Sequence, residues 1–178
     1  MARYVDHLVS IGVRLVALDF DATIIDLHTG GAWMESAKDL SKHVRSSLVE
    51  LMKAVLERKA DGIYLCVVTH SPQTDLIRQV LRNKIARGHN DVVIKGDDKT
   101  WDRISGIPTG GKQQHIEAVV RDLKKKYGVS IAPYEVVLID DDYINVTIAL
   151  SYDMKGIIYE KEESIEEIFN LTRGTDAT

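Results

Sequence analysis

Residues 16–23 read Val-Ala-Leu-Asp-Phe-Asp-Ala-Thr: an apolar run ends in two carboxylates two positions apart, Asp19 and Asp21, and the hydroxyl of Thr23 follows. Alternate residues of a strand project from the same face. A buried parallel strand therefore delivers Asp19 and Asp21 together at its carboxyl end, the edge at which open α/β sheets bind ligands. Two like charges held that close repel unless a cation or a shared proton compensates them. A pair placed in this way is expected to do chemistry.

Three further segments carry residues of the same kind. Residues 62–70 (GIYLCVVTH) form an apolar run ending at Thr69 and His70. Gly111 and Lys112 open an amphipathic helix, and residues 136–142 (VVLIDDD) end in Asp140, Asp141 and Asp142, with Asn145 close behind. Taken in this order, the segments resemble the motifs of the haloacid dehalogenase superfamily in its phosphatase branch, whose signature is Asp-x-Asp-x-Thr. The resemblance covers about residues 13–160, and residues 111–160 are similar to the small magnesium-dependent phosphatases that carry no cap domain. Residues 24–34 and 97–110 match no motif of that family, so no substrate identity comes with the resemblance.

The resemblance implies a phosphomonoester hydrolase working through an aspartyl-phosphate. A carboxylate suits the nucleophile because it is already ionised at neutral pH. Asp19 would attack phosphorus, and Asp21 would protonate the leaving oxygen and then activate water. Mg²⁺ takes oxygen ligands, for which the family pattern implies Asp19, the main-chain carbonyl of Asp21, and Asp140. Asp141 would orient metal-bound water from behind these ligands, with Asn145 beside it. Thr69 would bind a phosphate oxygen through its hydroxyl and its own N–H, Lys112 would neutralise phosphate and Asp19, and His70 would line the rim of the phosphate site. Ser71 reads as a helix cap with Pro72 in the first turn, adding the partial positive charge of a helix N-terminus. Thr23 would support the loop after the first strand.

The residues alone leave other readings open. The three aspartates 140–142 could be a solvated turn and Lys112 a surface lysine; the family pattern selects Asp140 and Asp141 and leaves Asp142 exposed. Residues 106–112 (GIPTGGK) approach a nucleotide-binding P-loop, but Gln113 replaces the hydroxyl that should bind Mg²⁺ and no strand directly precedes. The histidines show no metal-ligand spacing; His115 is expected only to help hold its region. Trp33, Trp101, His28, Asp97 and Asp98 lie in the two segments without a motif, where specificity is expected to reside, although each Trp fits packing equally well.

These segments need a frame that brings their ends together. Residues 13–21, 62–70, 91–95, 136–140 and 156–159 read as strands. Residues 36–59, 71–87, 113–127, 144–150 and 164–171 read as helices, and 172–178 as a flexible tail. Ser36 and Asp39 suggest a variant capping box, with Ser41 competing. Alternation of strands and helices predicts an α/β fold with a parallel sheet and helices on both faces. The resemblance adds a three-layer Rossmann-like arrangement with strand order 3-2-1-4-5 and no large cap, as one domain over residues 1–171. An uncapped site suits a large phosphorylated substrate such as a phosphoprotein, and a homo-oligomer could also close it.

Composition narrows the rest. The chain has 178 residues, 44% hydrophobic, enough for one α/β core. A net charge of −4 with mixed signs offers no basic stripe for nucleic acid. The single cysteine, Cys66, lies inside an apolar run and reads as a buried hydrophobe. No run approaches the roughly 18 apolar residues of a membrane span. The N-terminal segment leads straight into the candidate site, so removing it as a signal would destroy that site; a soluble cytoplasmic protein is expected. A phosphotransferase with the same intermediate remains a rival. So does a non-enzymatic phosphoacceptor or binding module resembling response-regulator receivers, although the third strand ends without the carboxylate those use.

Overall fold

The computed structural model describes residues 2–160. The apolar runs become strands β1 (Leu15–Leu18), β2 (Tyr64–Val68), β3 (Val93–Lys95), β4 (Val136–Asp140) and β5 (Lys155–Ile158). They form one all-parallel sheet in the order β3-β2-β1-β4-β5, as the resemblance implied. Leu18 stands level with Val67 on one side and Ile139 on the other, so β1, β2 and β4 end together. Backbone pairing continues one step further: Asp19 N donates to Ile139 O at 2.9 Å and Thr69 N to Lys95 O at 3.0 Å.

Alternate residues along the strands enter two cores, one on each face, because a parallel sheet is buried on both sides. Val16, Leu18, Val67 and Ile139 pack towards α1 (Ala2–Ser10), α3 (Ser46–Glu57) and α4 (Thr74–Lys84). Leu15, Ala17, Cys66 and Leu138 pack towards α5 (Gln113–Tyr127) and α6 (Tyr143–Ser151). The α5 helix ends at Gly128, whose left-handed φ of 70° lets its N–H return to Lys124 O. Helix α1 was not anticipated, although Val5 and Leu8 at helical spacing are both fully buried. Arg58 holds its exposed side by pairing with Asp6.

The segment 36–59 departs from expectation by dividing into two helices. A short helix, α2 (Ala37–Leu40), is capped by Ser36, whose Oγ accepts from Asp39 N. Ser41 then donates its hydroxyl to Ala37 O at 2.6 Å, and the chain extends at Val44 before α3 begins. The break supplies partners to the loop after β1: Ile25 bridges Val44, Arg45 N donates to Ile24 O, and Asp26 N to His43 O. Leu40, Val44, Leu48 and Leu51 reach the core all the same.

Helix α4 starts at Thr74 rather than Pro72 and stops at Lys84, so Ser71 is not its cap. Instead the Ser71 hydroxyl accepts from Gln73 N, closing a turn that precedes the helix. Cys66 is buried as expected, and burial pushes its thiol pKa up. Among the described residues no helix is long and apolar enough to cross a membrane, and no separate lid domain interrupts the sheet. The helix expected over 164–171 and the tail lie outside the described residues.

Leu51 of α3 has no exposed surface and sits in the larger core. Leu51→Ala is expected to lower unfolding stability by about 3 kcal/mol through lost burial and a residual cavity, read from urea denaturation.

Candidate active site

The strand ends open onto a cavity of about 570 Å³ along the carboxyl edge of the sheet. Asp19, Thr69 and Asp140 enter it from β1, β2 and β4, and Lys112 reaches it from the residue before α5. Lys112, 2% exposed, places Nζ 2.8 Å from Asp19 Oδ1, with Asp19 itself 5% exposed. Burial raises the Asp19 pKa to about 7; Lys112 opposes this, while the charges of Asp140 and Asp141 push it further up.

The three consecutive aspartates serve three purposes. Asp140 is fully buried, accepts both oxygens' hydrogen bonds from Asn145 Nδ2 at 3.0 and 3.1 Å, and accepts from Asp142 N at 2.9 Å. Its pKa is raised by burial despite Lys112 and these hydrogen bonds. Asp141 is tied to Thr23, which accepts from Asp141 N at 3.0 Å and donates to Oδ1 at 3.2 Å. Asp142 caps α6 by accepting from Ile144 N. A turn made only for solvent would have no reason to bury its first carboxylate.

Oxygens of Asp19, Asp140 and Asp141 lie within 4.8 Å of one another, a group that could hold a divalent metal. The donor set fits a hard cation, because all three groups are carboxylates and their mutual repulsion in a dry site asks for positive charge beyond Lys112. The Asp21 side chain stands apart from this group. It turns to the following loop, where its carboxylate accepts from Thr29 Oγ1 at 2.9 and 3.0 Å and from Thr29 N at 3.2 Å.

That loop forms a flap. Ala32 N returns to Thr29 O across Gly30 and Gly31, and Gln73 brackets Trp33 by bonding both its N–H and its carbonyl. Both indoles donate their N–H to main-chain carbonyls, Trp33 to Ser36 O and Trp101 to Gly96 O. His28 stands exposed with Nε2 3.7 Å from Asp141. The P-loop likeness at 106–112 does not follow a strand, since β3 ends at Lys95; Gln114 instead clasps the loop through Ile104 and Ile107.

One expectation about Thr69 needs correction. Its N–H is occupied by Lys95 O, so it is not free for a phosphate oxygen. Its hydroxyl oxygen accepts from Ser71 N at 3.1 Å, which leaves the hydroxyl proton to donate. The helix expected at Pro72 begins two residues later, so its N-terminus also stands further back.

Three residues beside this centre had no pattern linking them in sequence. His70 Nδ1 lies 3.1 Å from Asp97 Oδ2, and His115 Nε2 lies 3.0 Å from Asp97 Oδ1. Eighteen and more residues separate these partners along the chain, so only the sheet edge unites them.

No protein-family model matches the sequence, and no curated protein matches it. Solved structures do match its architecture. The HAD domain of the effector protein Lem4 from Legionella pneumophila is 14% identical over 89% of this chain and 93% of its own, with a TM-score of 0.56. A HAD-superfamily hydrolase, subfamily IA, from Geobacter sulfurreducens is 13% identical over 89% and 99%, with a TM-score of 0.57. The fold is that of the haloacid dehalogenase superfamily. An enzyme with this fold from Bacteroides thetaiotaomicron, solved with magnesium and inorganic phosphate, is 11% identical over 89% of this chain and all of its own, with a TM-score of 0.52. The shared haloacid dehalogenase fold accounts for the order of the strands and for the edge at which the cavity opens.

The burial of His115 makes a pH prediction. It is 3% exposed, and burial first, aided by His70 and Lys112 and opposed by Asp97, pushes its pKa down to about 4. The unfolded chain binds this proton near pH 6.5 and the folded chain only near 4, so the contribution is unchanged above 6.5 and stability is lost as pH falls through that window. Moving from pH 7 to pH 5 is expected to lower stability by about 2 kcal/mol through this group. Urea titrations at both pH values should show a smaller drop in His115→Gln.

Proposed function

We propose that this chain is a metal-dependent phosphomonoester hydrolase with Asp19 as nucleophile. The observation that carries the reading is the buried Asp19–Lys112 pair set against Asp140 and Asp141 at the carboxyl edge of a parallel sheet. An Asp19 oxygen bonds to phosphorus as the ester P–O bond breaks, and Asp21 gives its proton to the departing oxygen. Water then attacks phosphorus, passes a proton to Asp21, and releases phosphate and the Asp19 carboxylate. Thr69, His70 and Lys112 bind the phosphoryl oxygens. Mg²⁺ held by Asp19, the Asp21 carbonyl and Asp140 would supply charge neutralisation for the phosphoryl group. Asp141, with Thr23 behind it, and Asn145 keep the carboxylates in place.

Asp19 must be ionised to attack. Lys112 favours that state, and a cation among the carboxylates favours it further, countering the burial that raises the Asp19 pKa. The bonds from Thr29 keep the Asp21 side chain off the group of Asp19, Asp140 and Asp141 while it still lines the same cavity. With no separate lid among the described residues, the cavity is open to a large substrate, and a phosphorylated protein or other macromolecule fits that access. Transfer of the phosphoryl group to an acceptor other than water follows from the same intermediate.

Phosphate release from an aryl phosphate, with Mg²⁺ and with chelator, tests this reading. Turnover is expected to require the metal and to fall roughly 10³-fold or more in Asp19→Asn. Metal-independent turnover, or turnover that survives the substitution, would refute it. A stable phosphorylated protein that does not release phosphate would favour a phosphoacceptor module instead.

A further inference from the structure

Beside the carboxylate group, His70 after β2, Asp97 after β3 and His115 in the first turn of α5 bring their donor atoms within 4.8 Å of one another. Two imidazoles and a carboxylate are a set that a transition metal could use. The far nitrogen of His115 argues for a different role. His115 Nδ1 is buried and has no hydrogen-bond partner among the described residues. Orphaned N–H groups are the rarer kind of unsatisfied buried atom, which favours a bare lone pair on Nδ1 and the proton on Nε2. A metal on Nε2 would move that proton to Nδ1, where the described residues offer no acceptor of the kind that metal-binding histidines normally find.

The chain of hydrogen bonds then has one direction. His115 Nε2–H donates to Asp97 Oδ1, and Asp97 Oδ2 accepts from His70 Nδ1–H. Burial opposes ionisation of Asp97, but the hydrogen bond from His70 and the nearness of His115 outweigh it and hold the carboxyl below its ordinary value. His70 is left with Nε2 unused among the described residues, in a ring that lines the phosphate cavity. Its side chain is 51% exposed, so it stands at the mouth while Lys112 occupies the floor.

The loop that carries Asp97 is braced on three sides. A Cβ at Gly96 would meet Ser71 O at 2.3 Å, so only glycine lets the loop lie against the residues after Thr69. Thr74 Oγ1 donates to Asp98 at 2.5 Å, and the Trp101 ring packs edge-on against His115 at 5.1 Å between centroids. A carboxylate fixed this firmly can set the orientation of a half-exposed imidazole.

We propose that Asp97 and His115 are positioning residues that hold His70 as its Nδ1–H tautomer with Nε2 directed at the oxygens of a bound phosphoester, making His70 a substrate-contacting residue. The assignment rests on the phosphatase reading for its ligand, but not for its geometry. Long-range ¹H–¹⁵N spectra of the histidine-labelled full chain are expected to show His115 protonated on Nε2 alone and His70 on Nδ1. Binding of inorganic phosphate, and KM for an aryl phosphate, are expected to weaken about tenfold in His70→Gln and in Asp97→Ala. The double variant should be no worse than His70→Gln alone, since Asp97 acts through His70. Asp97→Asn keeps the shape of the site and serves if the alanine variant misfolds.

Additive losses would overturn the proposal, as would a His115 proton on Nδ1. Stoichiometric Zn²⁺ binding that disappears in Asp97→Ala would replace it with a metal site. If no phosphoester is turned over at all, the phosphatase reading fails, while the tautomers and the phosphate affinity still decide the role of Asp97.

Discussion

Taking a carboxylate out of water costs several kcal/mol unless a cation or good hydrogen bonds meet it, and this molecule does so repeatedly at one edge of its sheet. Asp19 and Asp140 are both buried there, and Lys112 is the cation that touches Asp19. Much of the surrounding structure can be understood as what holds that arrangement in place. Asn145 and the N–H of Asp142 occupy the oxygens of Asp140, Thr23 ties down Asp141, and Gln114 anchors the loop that leads into Lys112. The hydrophobic core supplies the stability that such a concentration of like charge removes.

Sequence made the floor of the site legible because a buried strand is recognised by its apolar run, and a polar residue at its end marks the edge. That logic places Asp19, Thr69 and Asp140 without any contact information. It does not find the partner of Thr23, expected to support the loop after the first strand, because the hydroxyl bonds Asp141 after β4, 118 residues away. The same logic is silent where hydrogen-bond demand comes from distant chain. Leu40, Val44 and Leu48 fit a continuous helix by spacing, yet the backbone of Ile24 and Asp26 needs partners and breaks it. Whether Thr69 N–H is free depends on the pairing with β3, which no local pattern reports. Asp97 and His115 lie in and beyond a segment with no motif, and their meeting follows from the loop after β3 and the first turn of α5 converging at the sheet edge.

The segment from Ser71 to Thr74 links the two variable loops. A Cβ at Gly31 would meet Pro72 Cδ at 2.8 Å, so the flap rests on this segment from one side. The loop after β3 rests on it from the other through Gly96 and Asp98. Gln73, between them, grips Trp33. A short stretch that looks like the approach to a helix therefore sets the relative position of both walls of the cavity, which is why the helix itself starts late.

Cys66 offers a consequence of a different kind. It is the one cysteine of the chain, lies in the middle of the central sheet with no exposed surface, and its thiol is held in the protonated form by burial. Alkylating reagents need a thiolate that they can reach. Modification must then wait for β2 to separate from its neighbours, so the labelling rate at this one sulfur measures how often the sheet opens, a clock for native-state fluctuations already built into the chain.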